Sequence, residues 1–194
     1  AHVTYRVTRG FPLRRGEAIA AELRRRLRFE GRRLPTATVG SVRRSAAALK
    51  DIDILVFVPD GAPGRIAAVL AAAHLAPRRG RRDTLQIVAS YASGIRRRSF
   101  IVMAPEPGRR CGYYAVDLFL ATEAERPYAL FHYTGGKEYN IRTRAHAKRA
   151  GLILNQYGGF LAGSRTRARG SAGIATECDL ATYLGLACRP PRDR

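Results

Sequence analysis

Two aspartates one residue apart, Asp51 and Asp53, stand at the mouth of an apolar run in the segment KDIDILVFVP. The run is closed by Pro59 and Gly61 and reads as a strand over Asp51–Val58. In a strand, residues i and i+2 share a face, so the two carboxylates point the same way. Like charges at that distance repel by about 1 kcal/mol or more unless something positive lies between them. A divalent cation is the simplest candidate. The structural alternative is an N-cap at Asp51, a solvated strand end at Asp53 and nothing more.

A third acid favours the cation. Asp117 lies in the apolar stretch YYAVDLFL, between Val116 and Leu118, where a carboxylate is poorly solvated and costly unless paired or metal-bound. With Asp51 and Asp53 it makes a set of three carboxylates from two strands expected to be neighbours. Phosphoryl transfer assisted by two Mg²⁺ ions needs such a set. Oxygen-only ligands suit Mg²⁺, with Mn²⁺ as an alternative ion. Eleven residues before Asp51, Gly40-Ser41 begins a short helical turn with Arg44 one turn on. Backbone N–H groups, a hydroxyl and a guanidinium converging there would cradle anionic oxygens.

The rest of the chain is strongly basic, with 35 Lys+Arg against 15 Asp+Glu and a formal charge of +20 over 194 residues. Arginines cluster at 24–26, at 78, 79, 81 and 82, at 96–98, at 142 and 144, and at 165, 167 and 169. An excess this widely spread favours a polyanionic partner, nucleic acid above all. Hydrophobic residues make up 46% of the chain, which excludes a disordered basic tail. Three cysteines, Cys111, Cys178 and Cys188, lack metal-ligand spacing and leave one unpaired, which suits a reducing, intracellular compartment. No apolar stretch reaches membrane-spanning length, so a membrane is not an expected partner.

Periodicity gives an alternating edge strand at Val3, Tyr5 and Val7, then an amphipathic helix over 16–28 with Ile19, Leu23 and Leu27 on one face. A short strand follows at 36–39, then a helical turn through Ala46–Ala48. A helix over 65–75 follows the first acidic strand, and strands follow at 85–90, 99–104 and 113–120. Helices at 127–134 and 138–150, a hairpin over 153–161 and a helix at 177–186 complete an α+β pattern. His146, on the second of these helices, reads as packing or capping rather than chemistry; His2 and His74 carry no signal.

GSVRR, six residues, then DID resembles the signature of the family X DNA polymerases, the DNA polymerase beta group within the beta-type nucleotidyltransferases. YAVDLFL resembles the strand bearing that family's third catalytic aspartate. HYTGGKEYNIRTRAHAKRAGLILNQYG and TECDLATYLGLACRPPRDR resemble its C-terminal segments, so the likeness runs over roughly residues 10 to 194. The resemblance implies a nucleotidyltransferase palm over residues 1–120, a mixed sheet with flanking helices, and a mainly helical thumb over 121–194.

It further implies a monomer that extends primer-template or gapped DNA with deoxynucleoside triphosphates, filling short gaps in base excision repair. Asp51, Asp53 and Asp117 would hold the metals, with Asp117 beside the primer 3′-hydroxyl as, or close to, the general base. Gly40, Ser41 and Arg44 would take the β and γ phosphates. His132, Tyr133, Thr134 and Gly135 would line the sugar pocket, and Asn140 would meet the incoming base. Arg144 would contact the templating strand, while Arg142, Arg165, Arg167 and Arg169 would grip DNA. The pattern resembles a minimal palm-plus-thumb form without the family's N-terminal lyase domain, an architecture of large DNA viruses.

Departures from the family pattern are specific. His132-Tyr133 replaces an aromatic pair, Lys50 and Ser45 stand at usual glycines, Lys137 replaces an acid, and Ala115 replaces an arginine two residues before Asp117. Lys50 either contacts the triphosphate or points to solvent. A nucleotidyltransferase acting without a template or on RNA, and a non-catalytic DNA-binding module, share parts of this pattern; three intact acids disfavour the second.

Overall fold

The apolar run after Asp53 becomes an inner strand of a mixed sheet. A computed structural model describes residues 5–29, 31–59, 85–106, 108–164 and 166–194. The expected helix over 65–75, Val3, His2, His74 and the arginines at 78–82 lie outside the described residues. Strand β1 (Phe11–Pro12) leads into helix α1 (Leu13–Arg26), and β2 (Arg28–Phe29) and β3 (Arg32–Arg33) form a small ribbon. Then come β4 (Thr36–Thr38), a one-turn helix α2 (Gly40–Arg43), β5 (Ala48–Leu49) and β6 (Ile52–Val58). Strands β7 (Gln86–Ser93), β8 (Arg97–Glu106) and β9 (Arg109–Thr122) complete the sheet in the order β4-β6-β9-β8-β7. Among the described residues only β6 and β9 run parallel.

Side-chain parity divides this sheet into two faces. Ile52, Ile54, Val56 and Val58 of β6, Val116, Leu118 and Leu120 of β9, and Phe100 and Val102 of β8 pack with Ile19, Ala20 and Leu23 of α1. The α1 residues recur at the spacing of one helical face. Leu55, Phe57 and Ala121 point the other way, toward Ala129 on helix α3 (Arg126–Thr134). Burial of each such aliphatic side chain contributes roughly 1.5–3 kcal/mol. The odd-numbered residues at the strand mouths, including all three acids, share this second face.

Helix α3 also turns Tyr128 and Phe131 into a separate cluster with Ala147 of α4 (Lys137–Arg149), Leu154 of β10 (Leu152–Asn155) and Leu180, Ala181 and Leu184 from or beside α5 (Glu177–Tyr183). Strand β10 pairs with β11 (Gly158–Leu161) as the expected hairpin. His146 Nε2 lies 2.8 Å from the Leu184 carbonyl, tying α4 to the end of α5 as a packing histidine does. No helix among the described residues is long and apolar enough to cross a membrane.

Three expectations are corrected. Residues 5–10 form no strand; Tyr5 instead rests against the Tyr113 ring, and a single backbone bond joins Thr8 N–H to the Tyr113 carbonyl. The segment Ala46–Ala48 is not helical. Ser45 takes a left-handed backbone (φ 57°), and Ala48–Leu49 pairs with β1 so that Leu49 is wholly buried. The left-handed turn accounts for a glycine being usual at position 45 in the resembling motif.

Finally, Cys178 and Cys188 are disulfide-bonded, and only Cys111 is free. The bridge closes a ten-residue separation and staples the C-terminal segment to α5. A loop of that size corresponds to about 3 kcal/mol of denatured-state entropy. Cys178→Ser is therefore expected to lower the melting temperature by roughly 5–10 °C under oxidising conditions. The difference should vanish in excess thiol, and a scan at two redox poises checks it.

Candidate functional site

The sheet register brings the acids together. Asp53 of β6 is the Cα partner of Asp117 of β9, and Asp117 is in turn the partner of Ser99 of β8. One row across three strands thus carries two carboxylates and a hydroxyl on the same face, with Asp51 two residues upstream at the strand mouth. Burial first, then the charges of Asp51 and Asp117, push Asp53 up to about 7, while Arg44 and Arg97 pull it down. Asp51 is raised as well, by burial and then Asp117, against Lys50, Arg44 and Arg97. Near neutral pH, Asp53 therefore takes up a proton where no cation supplies the missing charge.

Asp117 is neutralised differently. The buried Ser99 hydroxyl donates to its Oδ1, and Arg97 forks over it, with Nη2 3.0 Å from Oδ2 and Nε 3.4 Å from Oδ1. The guanidinium absent at position 115 is thus supplied from the adjacent strand. Among the described residues no three His, Cys, Asp or Glu side chains are drawn tightly enough to enclose an ion. Asp117 is turned to the guanidinium instead. The donor set nevertheless suits a hard dication, being all carboxylate oxygen.

The cradle of α2 closes on this row. Gly40 has φ +59°, and a Cβ there would overlap the Asp53 carboxylate, so both backbone and space require glycine. The Ser41 hydroxyl is buried with no hydrogen-bond partner among the described residues. Such a hydroxyl is free to donate to a polar ligand. Arg44 donates to the Thr134 carbonyl at 2.7 Å and lies close enough to act on both Asp51 and Asp53. Arg43 faces elsewhere. It donates to the buried Thr134 hydroxyl and, through both terminal nitrogens, to Glu177 at the start of α5. Glu177 also accepts from the final residue, Arg194, at 2.5 Å.

Thr134 ends α3, and its neighbours continue the wall. Tyr133 stacks on Phe119 with ring centroids 4.1 Å apart, and His132 meets Tyr133 edge-on. Burial, then Tyr157, pushes the Tyr133 hydroxyl up to about 12. Burial, then Arg144, holds His132 below the ordinary histidine value, so it is neutral at pH 7. Asn140 on α4 donates its amide to the His132 and Gly135 carbonyls at 2.7 and 3.0 Å, closing the end of α3. A Cβ on Gly135 would collide with the Asn140 side chain.

Comparison with known proteins decides the family. The repair DNA polymerase X of African swine fever virus is 32% identical over 189 residues, spanning 94% of this chain and 98% of that protein. The chain belongs to the family X DNA polymerases. Residues 129–194 also match the family model described as DNA polymerase beta thumb. DNA polymerase lambda of Rattus norvegicus is 26% identical over 165 residues, 80% of this chain and 28% of that one. The crystal structure of Leishmania infantum polymerase beta in a ternary P/T complex superposes with a TM-score of 0.69. It covers 97% of this chain and 77% of that one at 21% identity, and shares the fold.

In this family X polymerase the arginines expected to act together are separated. Arg142 and Arg144 stand two residues apart on α4, hence about 200° apart around it. Arg144 faces the Asn140–His132 side, whereas Arg142 joins Arg149 and Arg189 along a groove of ≈ 410 Å³ beside the C-terminal segment. Arg167 and Arg169 are exposed beyond β11, with Arg167 lying over the Phe160 ring. Arg165 lies outside the described residues. Sequence reasoning missed Arg97, Ser99 and Glu177. Arg97 lines, with Arg9, Lys50, Asp51, Tyr91 and Asp117, an open cleft of ≈ 500 Å³. No local signal marks it out, because its place depends on the pairing of Ser99 with Asp117 across two strands.

Proposed function

We propose that this family X enzyme is a template-directed DNA polymerase that fills short gaps, as in base excision repair, working inside the cell as a monomer. The proposed division is a palm over 1–120 and a thumb over 121–194. The observation that carries the reading is the row formed by Asp53 and Asp117 beside a glycine-opened turn with an unpartnered hydroxyl. Asp51, Asp53 and Asp117 would hold two Mg²⁺ ions, or Mn²⁺, supplying Lewis acidity at the attacking hydroxyl and neutralising the leaving pyrophosphate.

The chain's own groups do the remainder. Asp117, buried at the cleft wall, would orient the primer 3′-hydroxyl and take its proton. Ser41 would donate its orphan hydroxyl to a phosphate oxygen of the incoming deoxynucleoside triphosphate, with Gly40 letting that oxygen approach the backbone. Arg44 would exchange the Thr134 carbonyl for the phosphates, a stronger charge-assisted acceptor. Tyr133, with Thr134, Gly135 and neutral His132, would form the sugar wall. Asn140 spends its amide on α3, which leaves its Oδ1 to face the base. Arg144 would reach the templating strand, and Arg142, Arg165, Arg167 and Arg169 would neutralise backbone phosphates, the main source of sequence-independent affinity.

The test is extension of a one-nucleotide gapped duplex with Mg²⁺ and the four deoxynucleotides, beside the same primer without its template strand. One templated insertion on the duplex and none on the single strand are expected. Comparable extension of both would replace template-directed synthesis with end addition. Arg44→Ala is expected to lower catalytic efficiency by about 1.5–3 kcal/mol, the scale of a hydrogen bond to a charged group. Unchanged efficiency in steady-state kinetics would place the triphosphate elsewhere.

A further inference from the structure

Arg97 holds Asp117 in a posture that sets the guanidinium in competition with a metal ion. Its Nη2 and Nε reach both carboxylate oxygens, and Ser99 takes one of them as well. A magnesium ion at Asp117 would sit at about 2.0–2.1 Å from one of these oxygens. Such an ion and the guanidinium would be like charges competing for one carboxylate. The carboxylate side chain is only 12% exposed, whereas that of Arg97 is 54% exposed. Arg97 therefore covers Asp117 from the solvent side and has room to swing away. Its guanidinium also lies 5.6 Å from the centre of the Phe119 ring, which carries the stacked Tyr133. Arg9 and Lys50 line the same cleft mouth. An anionic strand entering there meets three cations, of which Arg97 is the one already committed to an acid.

We propose that Arg97 is a positioning residue that couples DNA binding to assembly of the metal site. Without DNA it stands on Asp117 in place of a metal ion. A phosphate of the bound strand draws the guanidinium off toward Arg9 and Lys50 and leaves Asp117 free of the competing cation. The coupling is reciprocal, as linkage requires: bound metal raises affinity for DNA by the factor by which DNA raises affinity for metal. Ser99, which carries no charge, stays and fixes the freed carboxylate. The proposal rests on the reading of Asp117 as a metal ligand.

The experiment is a Mn²⁺ titration followed by electron paramagnetic resonance of the free ion. It uses the full chain with and without primer-template DNA, and the uptake of the DNA alone is subtracted. Arg97→Ala is expected to bind Mn²⁺ more tightly than wild type without DNA, by several-fold to about a hundredfold, the usual range of coupling between sites. Adding DNA should raise the wild-type affinity toward that of the variant and leave Arg97→Ala almost unchanged. Arg97→Lys, which keeps the charge without the fork, should fall between them and serves if the alanine variant folds poorly. Affinity in Arg97→Ala equal to or weaker than wild type without DNA would overturn the proposal. A difference that persisted undiminished with DNA would overturn the hand-over to phosphate. Asp117→Asn separates this from the reading beneath it. If that variant binds Mn²⁺ like wild type when both carry DNA, the metal assignment itself fails. If it binds weakly while Arg97→Ala is unchanged, only the role of Arg97 is lost.

Discussion

Asp53→Asn is expected to abolish nucleotide incorporation, by several orders of magnitude, and at the same time to stabilise the metal-free protein at alkaline pH. The first effect follows from removing a charged oxygen ligand at the reacting centre. The second follows from the Asp53 carboxyl, whose folded-state value is pushed up to about 7 against an ordinary 3.8. A carboxyl raised on folding contributes favourably while protonated in both states, below about pH 4. That contribution is lost as pH rises through about 7, because the unfolded chain ionises freely and the folded one resists. Metal-free wild type should therefore lose stability between about pH 4 and 7, on the order of 4 kcal/mol in total. Asparagine should flatten that slope, and Mg²⁺ should restore the wild type alone. Denaturant unfolding across pH, with chelator and with Mg²⁺, reads both. A parallel slope in Asp53→Asn would move the titrating group elsewhere, and substantial residual turnover would remove Asp53 from the metal set.

The acids were legible because a period of two fixes which side chains share a face, and apolar neighbours exclude ordinary solvation. Asp51 and Asp53 needed only that period. Asp117 needed in addition that its strand lie beside theirs, and the parallel register then set Asp53 directly opposite it. Arg97 was not legible for the converse reason. Within the run Arg96–Arg98 nothing local distinguishes the three guanidinium groups. Arg96 turns to Glu125, while Arg97 reaches Asp117 because Ser99 is registered opposite that acid on an adjacent strand. The same limit hid the split of Arg43 from Arg44. Neighbours in sequence, they diverge because Glu177, 134 residues from Arg43, takes the first, while the Thr134 carbonyl takes the second. The pairing of Cys178 with Cys188 depends on the turn after α5 folding back on it, which a bare spacing of ten does not specify.

Gly40→Ala is the substitution expected to do most damage for the fewest atoms added. A single methyl group must adopt φ near +59° and occupy space already filled by the Asp53 carboxylate. The left-handed backbone alone costs a non-glycine residue roughly 1–2 kcal/mol. Relief of the overlap requires Asp53 to rotate or α2 to withdraw, and either displaces one half of the site from the other. The loss should therefore appear as a fall of more than about a hundredfold in turnover, because displacements of about 1 Å at a reacting centre have that effect. Its partition is informative. If the methyl group only strains the fold, the melting temperature falls, and activity per folded molecule is preserved. If it separates the cradle from the carboxylates, metal affinity falls and triphosphate affinity falls with it, beyond the few degrees of melting temperature that the backbone strain alone removes. The second pattern is expected, since the atoms nearest the added methyl group all belong to the Asp53 side chain. Intact turnover with a lowered melting temperature would show that Gly40 serves the backbone alone.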